Sequence, residues 1–254
     1  MKYSVIMYNF RGYEAVHPLP FTPSNDIEYI YVTDNTKIRD TTWNVIVDPA
    51  LANLSPFEQC YAVRFNLFNY ATGDVCLYID GSMKICKDVL PLFNIFCKSD
   101  AKLGVMVHPE RSTMWDEYIT WVRSRNYPKG QAFKCLAYMQ LNGYDINSYH
   151  GLYEGGIRFI RNDPDAKSLD HDCFLLLKHL GNGGTIERID QTVYSYLLNT
   201  KYARLPLFAF SHKWCHTTFI RHCFHKTSTE RPHGRFPSSG FIRNHVVPIN
   251  AGNF

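Results

Sequence analysis

No stretch of this 254-residue sequence reaches the roughly 18 consecutive apolar residues that a membrane span requires. Its first residues also lack the basic start, apolar block and small-residue cleavage site of a secretory leader. These absences lead to the expectation of a soluble, cytoplasmic chain. Eight cysteines occur (60, 76, 86, 97, 135, 173, 215 and 223), but no two are spaced as CxxC. Most fall inside strand-like or helix-like runs, so reduced buried thiols are expected rather than a disulfide framework. There is no GxxxxGK phosphate loop, no GxSxG elbow, no internal repeat and no low-complexity linker. These gaps disfavour a P-loop nucleotidase, a serine hydrolase of the elbow type and a solenoid.

What is present is a chain 45% hydrophobic and 15% aromatic, long enough to bury a full core. The 17 tyrosines and 17 phenylalanines suit an aromatic core, and equally suit wide apolar surfaces with polar edges, as sugar and base sites have. The net charge of +4 is unevenly spread: residues 201 to 254 hold eight Lys or Arg against the single acid Glu230, with six of the eleven histidines. A tail of that kind suits an anionic partner, whether a diphosphate, an acidic membrane surface or a nucleic acid. It equally suits a solvated terminus.

Strand-like runs alternate with helical ones. "YSVIMYN" ends at Asn9, "IEYIYVTDN" runs into Asp34 and "WNVIVDP" follows. Ser55, Pro56 and Glu58 spell a capped helix start, predicted to run to about Tyr70. "VCLYIDGS" comes next, then a helix near Val89 to Cys97, the strand "KLGVMVHPE", and helices over 113–125 and 129–141. The strand "GGIRFIRND" precedes a helix over 168–180 that ends in "GNGG", where a left-handed glycine cap is expected. A last helix starts near Ile189. The alternation predicts an α/β domain on a mainly parallel sheet, over 1–211, with a basic, His-rich extension over 212–254.

Ligands of such sheets bind at the carboxyl ends of the strands. Four apolar runs here end in Asn9, Asp34, Asp80 and His108. Asp80, followed by Gly81, is placed to reach a metal ion or a ribose, while Asp-Gly is also an ordinary turn dipeptide. Cys215, His216, His222, Cys223 and His225 could supply zinc ligands but lack a finger spacing. Positions 212, 215, 216, 219, 222 and 223 instead fit one face of a helix.

The segments "VTDN", Arg64 on the following helix, "YIDGSMKI", "HPERSTMWDE", "EGGIRFIRN" and "ERIDQTVYSYLL", in that order over about residues 3 to 212, resemble a glycosyltransferase-like family of the GT-A type. That family is shared by plant Golgi enzymes of cell-wall and mucilage polysaccharide synthesis and bacterial relatives. The resemblance implies a Rossmann-like GT-A sheet and a nucleoside-diphosphate-sugar donor bridged by Mn²⁺ or Mg²⁺. It implies that Tyr8, Asn9, Asp34 and Arg64 seat the nucleotide, and that Asp80 and His212 hold the cation, with Lys213 on the phosphates. Asp190, Gln191 and Glu154 would meet the reacting sugar, Asp190 being either the base or a sugar contact. His108, Arg111, Trp115 and Glu117 would offer charge and an aromatic face to an acceptor, a surface polysaccharide or glycolipid reached with the tail against a membrane. One departure stands out: the usual DxD is Asp80-Gly81-Ser82 here, without its second carboxylate. The tail keeps a nucleic-acid-directed protein open, and the missing carboxylate keeps a non-catalytic sugar-binding domain open.

Overall fold

The computed structural model describes residues 1–39, 42–123, 129–149, 151–181, 189–211 and 218–223. At its centre is a seven-stranded sheet in the order β3-β2-β1-β4-β7-β6-β8. The strands are β1 (Tyr3–Asn9), β2 (Ile27–Thr33), β3 (Asn44–Val47), β4 (Val75–Ile79), β6 (Leu103–Val107), β7 (Tyr153–Arg161) and β8 (Leu207–Phe210). Every neighbouring pair is parallel except the two that β7 makes, so six strands run one way and β7 runs back between β4 and β6. The mainly parallel α/β sheet expected from the sequence is therefore present. The inner strands are buried on both faces, and their side chains divide between two cores. Ile6, Tyr8, Cys76 and Tyr78 face one core. Val5, Met7, Val75, Leu77 and Ile79 face the other. Burial on both sides explains why these strands read as unbroken apolar runs.

Helices α1 (Pro56–Arg64), α4 (Lys129–Leu141), α5 (Pro164–Leu180) and α6 (Asp190–Asn199) pack on the first face, and α2 (Leu90–Cys97) on the second. A further helix, α3 (Met114–Arg123), follows β6. Helix α1 opens with the expected capping box: Ser55 Oγ accepts from the Glu58 amide and Glu58 accepts from the Ser55 amide. It ends at Arg64 rather than near Tyr70, because Asn66 turns its side chain back onto the Ala62 carbonyl, and a short 3₁₀ turn covers Leu67–Asn69. Helix α5 begins at Pro164, four residues ahead of expectation, because Asp163 caps the amides of Asp165 and Ala166. Its cap residue Gly181 is extended (φ −63°, ψ 154°) rather than left-handed.

The largest departure from expectation concerns the chain past 211. Ile220–His222 form a strand, β9, antiparallel to β5 (Met83–Ile85). A strand presents alternate residues, so the helical face expected through 219, 222 and 223 does not form. This ribbon continues into the loop that carries Asp80: the Cys223 amide donates to the Ser82 carbonyl at 2.8 Å. Residues 220–223 thus pair with the segment that follows Asp80. Among the described residues no helix is long and apolar enough to cross a membrane.

Candidate functional site

Because β1, β2, β4 and β6 are parallel, Asn9, Asp34, Asp80 and His108 all lie at one edge of the sheet. The reversed strand β7 begins where they end, which brings Glu154 to the same edge. A bulge shapes that junction. Val105 of β6 faces Arg158, but the next residue, Met106, faces Glu154, leaving Gly155, Gly156 and Ile157 unopposed. On its other side β7 stays joined to β4, through Ile79–Ile157 pairing and an Asp80 amide that donates to the Gly156 carbonyl at 2.9 Å. Bulges of this kind re-aim side chains next to sites.

The glycines make the site possible. A Cβ on Gly155 would overlap the Arg64 guanidinium and come within 3.6 Å of Asp190 Oδ2. One on Gly156 would press on Met83 and lie 3.5 Å from Asp80 Oδ2. Arg64, at the C-terminus of α1, is buried and forms an ion pair with Asp190, the first residue of α6. It also donates to the Gly155 carbonyl at 2.6 Å. The other Asp190 oxygen accepts from the Tyr61 hydroxyl at 3.1 Å. We expect Gly155→Ala to displace Arg64 from this pair and to cost about 1–3 kcal/mol, as overpacking does. A melting temperature equal to wild type would contradict that placement.

Asp80 accepts a hydrogen bond from the Tyr78 hydroxyl, which in turn shares a 3.0 Å hydrogen bond with the Tyr8 hydroxyl. Burial raises the Asp80 carboxyl above its ordinary value, against the pull of Arg64 and of the Tyr78 hydrogen bond. Glu154 is pushed up to about 7, first by burial and then by the Asp80 charge, with Arg111 opposing. Its Oε2 is buried without a hydrogen-bond partner, as is Nε2 of Gln191. Asp80 and Asp190 thus share the field of the Arg64 guanidinium, while Glu154 lies near Asp80 and Arg111.

Other residues chosen from the sequence sit in local structure. Both ends of the Asn9 carboxamide bind the Glu14 backbone, at 2.6 and 3.0 Å, and Asp34 accepts from the Arg11 amide at 2.8 Å. They brace the loop after β1, where Arg11 takes a left-handed φ of 55°. Past β6, His108 Nδ1 accepts from the amides of Glu110 and Arg111. Arg111 contacts His108 Nε2 and pairs with buried Glu117, each at 2.5 Å. Trp115 is no core anchor. It is 40% exposed and stacks on Tyr118 at 5.3 Å. His212 and Lys213, and with them Cys215, His216 and His225, lie outside the described residues.

Among the described residues, no three His, Cys, Asp or Glu side chains cluster closely enough to hold a metal ion. The described residues alone therefore do not fit a divalent cation. No protein-family model matches the sequence, and no curated protein does. Among solved structures, the chain is similar to the apo crystal structure of mouse xyloside xylosyltransferase 1. The TM-score is 0.45 and the identity 11%, with 84% of this chain and 87% of that one covered.

Sequence reading missed Tyr61 and Tyr78, although each carried a signal. Tyr61 is three residues before Arg64 on one helix, hence on the same face. Tyr78 is two residues before Asp80, which directly follows its strand, and so falls on the same side in the strand alternation.

Proposed function

We propose that this protein is a glycosyltransferase that moves a sugar from a nucleoside-diphosphate donor to a hydroxyl acceptor. The observation that carries the reading is the meeting of Asp80, Glu154 and the Arg64–Asp190 pair at the Gly155–Gly156 bulge, on the carboxyl edge of a mainly parallel sheet. The order of motifs along the chain supports it too. In this reading the donor lies across the ends of β1, β2 and β4. Its sugar–phosphate bond breaks as the acceptor oxygen bonds to the sugar carbon, and the acceptor proton passes to a carboxylate.

Glu154 suits that proton better than Asp190 does. Both Asp190 oxygens are engaged, by Tyr61 and Arg64, whereas Glu154 keeps a free oxygen and a value of about 7, near the optimum for a general base at neutral pH. Asp190 then orients Arg64, and Gln191 offers its unpartnered amide to a sugar hydroxyl. The exposed Trp115–Tyr118 stack, beside Arg111 and Glu117, is the acceptor's aromatic face. A cation, Mn²⁺ or Mg²⁺, belongs to the proposal through Asp80, His212 and the donor's own phosphates, with Lys213 on the phosphates; when bound it would neutralise phosphate charge. The acceptor class, a surface polysaccharide or glycolipid, and a membrane contact through the basic tail rest on the motifs and on composition.

Nucleoside diphosphates and their sugars, screened with and without Mn²⁺, provide the test. A ligand at a hundred times its Kd adds about 2.7 kcal/mol of stability, a shift of several degrees. At least one should raise the melting temperature of the wild type, and Asp80→Asn should remove the Mn²⁺-dependent part of that rise. No shift with any of them would end the reading. Binding without transfer or donor hydrolysis would favour a sugar-binding domain, the reading that the lone carboxylate at Asp80 supports.

A further inference from the structure

Directly beneath this site lies a charge that the proposed chemistry does not use. Arg158, on β7, is 1% exposed and sits in the middle of the core. Its guanidinium donates to Asp170 of α5 at 2.9 Å and to the main-chain carbonyl of Arg64 at 2.7 Å. It lies over three rings, Tyr194 at 4.5 Å, Phe65 at 5.0 Å and Tyr78 at 5.5 Å. A buried ion pair is commonly no more stabilising than apolar side chains of the same size, so stability alone does not account for one at this position. What distinguishes this pair is what it touches. The Arg64 carbonyl ends α1, where it has no helical partner of its own. Tyr78 contacts both guanidiniums, with Arg64 5.2 Å from its ring, and its hydroxyl bonds to Asp80.

We infer that Arg158 and Asp170 are a positioning pair, which fixes the end of α1 and the Tyr78 ring so that Arg64 and Asp80 face the same ligand. The inference rests on the reading of the site given above. Arg158 reaches the ligand only through Arg64 and Tyr78, so it is not itself a catalytic residue. The guanidinium holds the Asp170 carboxylate and the Arg64 carbonyl on two separate nitrogens, a planar fork that the single ammonium nitrogen of lysine does not reproduce.

The test uses Arg158→Met/Asp170→Leu, which removes both charges and roughly keeps volume, and Arg158→Lys, which keeps the charge. Two signals are read in each: the Arg64 Nε–Hε NMR cross-peak, assigned with Arg64→Lys, and affinity for the nucleotide found by the screen above. We expect the cross-peak to shift or broaden and affinity to fall at least about tenfold, since small misplacements have effects of that order, while the free protein melts no lower than wild type in the double variant. Should that variant fail to fold, Arg158→Lys carries the same two expectations. A folded variant with an unmoved cross-peak and wild-type affinity would overturn the inference and leave the reading of the site intact. Absence of nucleotide binding by the wild type would overturn that reading instead, and the positioning role with it.

Discussion

Asp190→Ala should destabilise the protein by about 3–5 kcal/mol, the usual result of stripping a buried ion pair of one partner. For a chain of this size that lowers the melting temperature by roughly 10 °C. The loss comes from what remains. Arg64 is buried, with its guanidinium against Tyr78 and Phe65. The Tyr61 hydroxyl loses its acceptor in the same step. The negative charge of Asp80 nearby still favours the guanidinium, which puts the expectation in the lower half of the range. The double change Arg64→Met/Asp190→Leu removes both charges and should recover most of the stability. Urea denaturation of the wild type, Arg64→Met, Asp190→Leu and the double variant gives the coupling between the two residues. An Asp190→Ala protein within about 1 kcal/mol of wild type would mean that the pair does not hold the site together.

The second large effect depends on pH. The Glu154 carboxyl is raised from 4.5 to about 7 by burial and by Asp80, with Glu117 and Glu110 adding to the rise and Arg111 opposing it. Between those values the folded protein holds a proton that the unfolded chain has released. Stability therefore falls as pH rises through that window and levels off above it, by at most about 3 kcal/mol for this one group. In protein freed of divalent cations, Glu154→Gln should match wild type at pH 4 and be more stable at pH 8, by up to that amount. An equal difference at both pH values would place the carboxyl in water and withdraw it as the proton acceptor. The stability forgone at neutral pH fits a functional role, since sites often keep groups that are unfavourable for folding.

The rest of the site ties these effects to the fold. Gly155 admits Arg64 at a place where a Cβ would overlap its guanidinium, and Gly156 leaves room for Met83 beside Asp80. The bulge sets Glu154, the residue before them, opposite Met106. Arg158 and Asp170 hold the layer beneath. The charges depend on one another because they are buried, where Coulomb interactions are weakly screened.

Much of this was legible in the sequence. Apolar runs ending in Asn9, Asp34, Asp80 and His108 announced both the strands and the edge where they stop, because burial on two faces demands continuous apolar residues and a strand's end frees the next side chain. The capping box of Ser55 and Glu58 fixed the start of α1 from local hydrogen bonding alone. Tertiary structure decided which charged residues would meet. Arg64 and Asp190, 126 positions apart, were each given to a ligand when read singly and are bonded to each other in the fold. The return of Ile220–His222 to Met83–Ile85 was equally hidden. Periodicity reports which face of an element is buried, whereas pairing between distant segments depends on how the chain crosses the sheet, and no local pattern records that.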